Sequence, residues 1–344
     1  MGRATGCQWH RMNREDAKRA LLDQAGYGSV RLQPLPVDCS FRSYVRLTDG
    51  PRPALLMDAP PGLEPLRPFV EISRHLRALG FSAPEVATVD FEHGYALIED
   101  FGEATFTRRL DAGADAWPLY ELAVDTLATL QAEPQAARIH VPAYDLERLL
   151  AETRLFLDWY WPAVHGKDPS AADREDFENI LHGLLAPLSE VPPVLVLRDF
   201  HVDNLMILGG REGIGACGLL DFQDAVLGHP AYDLVSLLQD ARRDLDPRLV
   251  AAMRARYAAA APELVDDSGY CILGAQRHLK VFGIFTRQSR RDGKHRYLAH
   301  IERLWRLLDV CFDEEPRLKP LRQWLAHHWP PETRIVPPLP EAER

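Results

Sequence analysis

Cysteine is scarce in this 344-residue chain, and its spacing excludes the common cysteine-built sites. The five cysteines are odd in number and widely scattered, and no two of them form a C-x-x-C pair. They are Cys7, Cys39, Cys217, Cys271 and Cys311. Neither a disulfide framework nor a zinc site follows from such a pattern. We therefore expect the protein to reside in a reducing cytoplasm.

Long hydrophobic runs are also missing. A membrane-spanning helix needs about 20 apolar residues, whereas runs such as "VLVL" are only long enough for a strand. The first 22 residues lack the apolar core of a signal peptide, and amphipathic patterning begins only after Met12, which leaves Met1 or Met12 as the natural start. We expect no association with a membrane.

Positive charge is in deficit. Lys and Arg total 40 against 50 Asp and Glu, which gives a net charge of -10. This balance argues against nucleic acid as the main partner. The length exceeds what one compact core usually serves, so the chain is expected to form two lobes with a cleft between them.

The first 100 residues have the pattern of short strands separated by turn formers. Five strands are predicted, within residues 30–36, 43–49, 54–60, 85–91 and 95–100. One helix interrupts them, over Leu66 to Leu79, with Phe69, Ile72 and Leu76 on one face and Gly80 at its end.

From about Glu103 the apolar spacing becomes helical, and only residues 194–208 and 217–222 interrupt it as strand-like islands. The sequence therefore predicts an α+β bilobal protein. Residues 1–100 would form a small lobe of five antiparallel strands and one helix, and residues 101–344 a large, mainly helical lobe. The strand islands should lie where the lobes meet.

The stretch "VLVLRDFHVDNLMIL" places polar residues between two apolar runs. Asp199 and Asn204 are five residues apart, and Asp221 follows a second apolar run. Phosphoryl transfer from ATP needs a carboxylate that accepts the proton of the attacking hydroxyl and oxygen ligands for Mg²⁺. Asp199 is the predicted base, and Asn204 and Asp221 are the predicted magnesium ligands.

This pattern resembles the catalytic and metal loops of the protein-kinase-like superfamily, and more closely those of the aminoglycoside/choline phosphotransferase branch. That branch carries a further "G-x-P-x-x-D-L" segment, which is "GHPAYDL" here. By this resemblance Asp233 braces the catalytic loop through hydrogen bonds. The similarity covers roughly residues 30 to 310.

Several segments in order also resemble the bacterial N-acetylmuramate/N-acetylglucosamine anomeric kinases. They are residues 38–47, 55–61, 96–102, 196–206, 218–244 and 283–298. This resemblance implies phosphorylation of the C1 hydroxyl of cell-wall amino sugars during peptidoglycan recycling, with ATP and Mg²⁺ as cofactors. A small-molecule amino sugar would be the partner, and we expect a monomer.

The predicted third strand, "ALLMDAP", lacks the lysine that a kinase uses to reach the ATP phosphates, and no lysine occurs between Lys18 and Gly102. An arginine can replace it, since a guanidinium is permanently charged and binds bidentately. Arg42 and Arg46 are the candidates. Glu71 either pairs with one of them or is an exposed helix residue.

The predicted nucleotide loop, "PVDCSFRSY", lacks glycines as well. Phosphate contacts are therefore assigned to Ser40, Arg42 and Ser43. The segment from Glu99 to Phe101 is expected to meet adenine through its backbone.

On the substrate side, His201 and Asp203 either orient sugar hydroxyls or complete the loop. The aromatic cluster at residues 156–166 offers Trp159 for stacking on a sugar ring, although buried helix packing is the favoured explanation of such a cluster.

The segment from Arg277 to Arg296 holds seven Lys or Arg and a single acid, Asp292. A solvated helix face is the ordinary explanation of such a run. Our hypothesis is that Arg287 recognises the lactyl carboxylate of N-acetylmuramate.

Three other functions stay open. An aminoglycoside kinase would use the same machinery, and the acidic net charge suits a polycation. A protein kinase is disfavoured because "DFQD" leads almost directly into "GHPAYDL", without room for an activation loop. A pseudokinase would fit the missing lysine but not the retained base and metal ligands.

Overall fold

A five-stranded antiparallel sheet forms the small lobe. The structure is a computed structural model and describes residues 13–36 and 41–339. The strands lie in the spatial order β1-β2-β3-β5-β4. They are β1 Arg31–Pro34, β2 Ser43–Thr48, β3 Ala54–Asp58, β4 Val86–Asp90 and β5 Tyr95–Glu99. Each strand lies within one of the five predicted segments.

Both faces of this sheet are covered, because alternate residues of a strand point to opposite sides. Met57 and Ile98 belong to the core shared with the rest of the molecule. Leu56 and Leu97 point the other way, into a small separate core. Helix α1, Arg14–Gln24, supplies Leu21 and Leu22 to that second core and adds to the one helix predicted for this lobe.

The predicted helix is present as α2, Leu66–Ala78. Phe69, Ile72 and Leu76 are buried on one face, as the spacing indicates. Gly80 follows with a φ of 89°, a conformation that glycine adopts without strain, so the helix stops there.

Helices make up most of the large lobe. They are α3 Phe106–Asp111, α4 Ala116–Ala132, α5 Leu146–Leu155, α6 Trp161–His165, α7 Ala171–Leu185, α8 Ala231–Leu238, α9 Pro247–Ala260, α10 Asp267–Asp292, α11 Ile301–Glu314 and α12 Lys319–His328. The 26-residue α10 packs against α5, α8 and α11 and forms the centre of the lobe. Within the described residues, no helix combines the length and apolarity that crossing a bilayer requires.

Two short strand pairs interrupt the helices. β6, Val194–Val196, pairs with β9, Val226–Gly228, and β7, Leu205–Ile207, pairs with β8, Cys217–Leu219. Both predicted islands are present, whereas β9 was not predicted. The loops that join β6 to β7 and β8 to β9 are held together by a hydrogen bond from the Leu220 amide to the Asn204 carbonyl (2.9 Å).

The strand pairs also contact the small lobe. Ser82, which follows α2, accepts a bond from the Leu219 amide (2.7 Å), and its hydroxyl donates to the Gly215 carbonyl (2.7 Å). The chain passes from the small lobe to the large lobe between β5 and α3. The arrangement is the predicted α+β bilobal fold, and the domain boundary at residue 100 stays a prediction.

Candidate active site

A tight loop over residues 197–204 joins β6 to β7 and carries Asp199. Arg198 has a φ of 69° and turns the chain sharply just before Asp199. Asp233 of α8 accepts hydrogen bonds from the backbone amides of Leu197 (2.6 Å) and Arg198 (2.9 Å). The structure thus contains the brace predicted for Asp233, and the loop is held rigidly.

Charged neighbours control the ionisation of Asp199. Burial raises its pKa, but the positive charges of Lys280, Arg277 and Arg198 outweigh that effect and lower the pKa below its ordinary value. The carboxyl group is consequently ionised near neutral pH and can accept a hydrogen bond from a hydroxyl group.

Asn204 and Asp221 lie beside Asp199. The Asn204 amide nitrogen donates to the Asp199 carbonyl (3.0 Å) and to Asp221 Oδ2 (3.4 Å). The lone pairs of the Asn204 amide oxygen are left to ligate a metal ion. Asp221 has a φ of 57°, and Gln223 donates to its Oδ1 (2.7 Å). The three predicted residues are therefore brought together by two neighbouring loops.

The oxygen atoms of Asn204 and Asp221 suit Mg²⁺. Burial raises the pKa of Asp221, and the nearby charge of Asp199 raises it further, so a cation here would relieve the repulsion. No cluster of three His, Cys, Asp or Glu side chains able to hold a metal occurs in the described part of the chain. Mg²⁺ accepts such a sparse protein shell, because phosphates and water complete its coordination.

Arg42 lines the cleft from the small lobe. The cleft is a cavity of about 800 Å³ that reaches Arg42, Asp199, Asn204 and Asp221. The Arg42 side chain is buried, forms an ion pair with Glu64 (3.4 Å), and lowers the pKa of Asp221. Of the two candidate arginines, Arg42 therefore has the position of a phosphate contact.

Arg46 lies elsewhere. Its guanidinium group pairs with Asp100 (2.5 Å) and Glu103 (2.7 Å) at the connection between the lobes and does not line the cavity. Glu71 is exposed and pairs with Arg67 one helical turn away (3.6 Å), so its pairing with a phosphate-contacting arginine is not observed. Glu64, just before α2, has that position instead.

The segment after β5 forms the edge of the small lobe. The Glu99 side chain pairs with Arg77 and Arg211, and the Phe101 ring packs against Gly218. No hydrogen bond to the amide or carbonyl of Phe101 is found among the described residues. The backbone there has the free polar groups that adenine recognition requires.

The structure does not support the phosphate contacts assigned to Ser40 and Ser43. Ser43 lies on β2 and does not line the cavity, and Ser40 falls outside the described residues.

His201 and Asp203 lie on the floor of the cavity. Burial lowers the pKa of His201, and the charge of Arg242 lowers it further, so the ring is neutral at pH 7. Asp203 accepts a hydrogen bond from the Thr107 hydroxyl and lies 3.5 Å from Arg242. Asp203 thus has partners within the protein, and both side chains face the cavity.

Comparison with known families gives the identity of the chain. The model of the phosphotransferase enzyme family matches residues 31–267, which include Arg42, Asp199, Asn204 and Asp221. The chain belongs to the phosphotransferase enzyme family. Its members transfer phosphate to hydroxyl groups, so the chain is an enzyme.

Two curated members of the family match over nearly their full length. An N-acetylmuramate/N-acetylglucosamine kinase from Caulobacter vibrioides is 38% identical, over 93% of this chain and 98% of its own. A protein of the same name from Pseudomonas aeruginosa is 36% identical, over 88% of this chain and 90% of its own.

Solved structures of related phosphotransferases share the fold. The choline kinase LicA from Streptococcus pneumoniae superposes with a TM-score of 0.57 at 13% identity, over 84% of this chain and 98% of its own. The ADP-bound aminoglycoside phosphotransferase APH(2'')-Ib superposes with a TM-score of 0.57 at 14% identity, over 85% of this chain and 97% of its own. These structures confirm the kinase-like architecture.

In this member of the family, one face of α10 forms the wall opposite the small lobe. Its side chains recur at three- and four-residue spacing: Arg277, Lys280, Val281, Ile284, Phe285 and Gln288. Arg287 is not among the residues that line the cavity, so the structure gives no support to its predicted contact with substrate. Arg277 and Lys280 of the same basic segment do line the cavity, and helical spacing could have found them.

Trp159 does not line the cavity either. It lies in a π-helical turn, Phe156–Tyr160, between α5 and α6, where its neighbours Tyr160 and Trp161 are buried. Tyr160 packs against Phe282 with tilted rings, 4.7 Å between ring centres. These buried contacts support helix packing as the explanation of the aromatic cluster.

Proposed function

We propose that this phosphotransferase transfers a phosphoryl group from ATP to the anomeric C1 hydroxyl of N-acetylmuramate and N-acetylglucosamine, in the recycling of cell-wall amino sugars. One observation carries the proposal. An ionised Asp199 lies in a cleft with the oxygen ligands Asn204 and Asp221 beside it and a basic wall opposite the small lobe. The names of the near full-length relatives support the choice of sugar.

Asp199 orients the sugar hydroxyl and accepts its proton. Since Asp233 holds the loop through two backbone hydrogen bonds, the carboxylate is already in position before substrate arrives. His201 and Asp203 hold hydroxyl groups of the sugar from the floor of the cavity.

Arg42 contacts the phosphates, and the segment from Glu99 to Phe101 binds adenine through its backbone. Residues 1–100 thereby form the nucleotide lobe and residues 101–344 the catalytic lobe. Asn204 and Asp221 would hold Mg²⁺, which neutralises phosphate charge when it is bound. The ADP-bound family member supports a nucleotide donor.

An aminoglycoside is the competing substrate class, and the wall of the cleft disfavours it. Arg242, Arg277 and Lys280 all line the cavity. Arg242 and Lys280 are paired with carboxylates, so it is the charge of Arg277 that a polycation would meet and that a neutral or anionic sugar would tolerate.

An ADP-release assay tests the proposal. The purified chain is offered N-acetylmuramate, N-acetylglucosamine, choline and aminoglycosides with ATP and Mg²⁺, and NMR locates the phosphate in the product. We expect turnover of the two amino sugars with phosphate on C1. Preferred turnover of an aminoglycoside would contradict the proposal, and loss of all turnover with intact nucleotide binding would indicate a pseudokinase.

Replacing Asp199 by Asn tests the assigned base. We expect Asp199→Asn to bind ATP normally but to lose at least about 100-fold in kcat, because general-base catalysis contributes that much. Asp168→Asn, at an exposed site, is the matched control. Undiminished turnover in Asp199→Asn would remove this residue from its role.

A further inference from the structure

Arg277 is a buried cation that forms no ion pair with any carboxylate of the described residues. Only 4% of its surface is exposed, and its guanidinium Nη1 is fully buried without a hydrogen-bond partner among the described residues. The side chain nevertheless lines the active-site cavity. A buried charge that lacks a partner destabilises the folded protein unless a ligand supplies the opposite charge.

Three other cations that line the cleft have carboxylate partners. Lys280 pairs with Glu152 (2.9 Å), Arg242 with Asp240 (3.1 Å), and Arg42 with Glu64 (3.4 Å). Arg277 is different because no acidic group of the described residues comes within ion-pair distance of it. Its guanidinium group is therefore available to an anion that enters the cavity.

We propose that Arg277 binds a carboxylate group of the acceptor and so gives the enzyme its selectivity for N-acetylmuramate over the neutral N-acetylglucosamine. The inference rests on the proposed function. The two sugars differ by the lactyl ether at C3, which carries the carboxylate. A guanidinium group matches a carboxylate bidentately and is permanently charged.

The position of Arg277 favours the acceptor over the nucleotide. Arg277 lies on α10 in the large lobe, where its charge acts on Asp199 and Asp240. Arg42, from the small lobe, is the arginine that acts on Asp221, the proposed metal ligand. Asp199 therefore lies between the proposed nucleotide site and Arg277. This is the position that we expect for an arginine that contacts the sugar.

The test compares Arg277→Met with the wild type on both sugars. We expect kcat/KM for N-acetylmuramate to fall roughly 10- to 100-fold more than kcat/KM for N-acetylglucosamine, since a hydrogen-bonded charge pair is lost only with the acidic sugar. The loss on N-acetylglucosamine reports the effect of the missing charge on Asp199. Arg277→Lys, which keeps the charge, should recover part of the loss. Arg287→Met is the matched control on the same helix outside the cavity, and we expect it to act on both sugars like the wild type.

The methyl ester of N-acetylmuramate provides a test that needs no variant. The wild type should prefer the free acid to the ester, and Arg277→Met should treat the two alike. Equal turnover of acid and ester by the wild type would overturn the inference, as would a parallel loss on both sugars in a folded Arg277→Met protein. A wild type inactive on both sugars would instead contradict the proposed function.

Discussion

Single residues show how this kinase manages without the usual phosphate-binding lysine. Met57 occupies the inner face of β3 and is fully buried, so that strand offers no cation to the cleft. Arg42, just before β2, is the arginine that lines the cavity, and Glu64 holds its guanidinium group from the segment before α2. In the proposed function this arginine takes the place of the lysine, and its acidic partner lies before the helix and not on it.

Arg42→Met should weaken ATP binding by roughly 10-fold or more, since a charge-assisted contact with phosphate is lost. Arg46→Met is the control, because it removes the same charge from the same lobe but outside the cavity. Calorimetric titration with ATP and Mg²⁺ measures both variants. A larger loss in Arg46→Met than in Arg42→Met would reverse the assignment.

Among the secondary-structure elements, α10 connects stability to the site most directly. One face of this helix lines the cavity, and the opposite side packs against α5, where an added Cβ at Gly283 would lie 2.3 Å from the backbone of Leu155. Only glycine permits this close approach. The position of the Arg277 and Lys280 side chains therefore depends on a contact on the far side of their helix.

Gly283→Ala should destabilise the protein by about 1–3 kcal/mol, because the new methyl group meets rigid backbone and α10 must shift. Gly183→Ala in α7 is the matched control. Nothing lies within 4 Å of its added Cβ, and the change should stabilise the helix by about 0.5–1 kcal/mol. Urea unfolding measures both, and a neutral Gly283→Ala variant would contradict the packing argument.

The cleft differs in charge from the molecule as a whole. The net charge is -10, yet the walls of the cleft carry Arg42 on one lobe and Arg242, Arg277 and Lys280 on the other. Carboxylates line the same cavity, so that cations and acids face each other within it. Only the meeting of the two lobes creates this environment, because neither lobe contains all of these residues.

Binding of ATP with Mg²⁺ should therefore protect amides in both lobes from hydrogen exchange. We expect slower deuterium uptake in the small lobe around β2 and in the loop 197–204, because one ligand contacts both. Peptides of α12, which does not line the cleft, provide the internal control. Protection confined to the small lobe would show that Asn204 and Asp221 do not contact the bound nucleotide complex.

Much of the fold was predictable because it depends on local pattern. The five strands and α2 are encoded by alternation, helical spacing and turn residues, and the structure places them within the predicted segments. Helix α1 was not predicted. It covers the outer face of the small-lobe sheet, and the residue pattern along the strands does not show that this face is buried as well. The short β9 is defined mainly by its pairing with β6.

The sequence by itself determined the chemistry of the loop, because Asp199, Asn204 and Asp221 are close along the chain and flanked by strands. Tertiary structure alone decided which cations face them. The sequence does not distinguish between four arginines of equal charge: Arg42, Arg46, Arg277 and Arg287. Their roles differ because the folding of β2 and α10 directs Arg42 and Arg277 into the cleft and the other two away from it. Such directions depend on packing between elements distant in sequence, which no local pattern records.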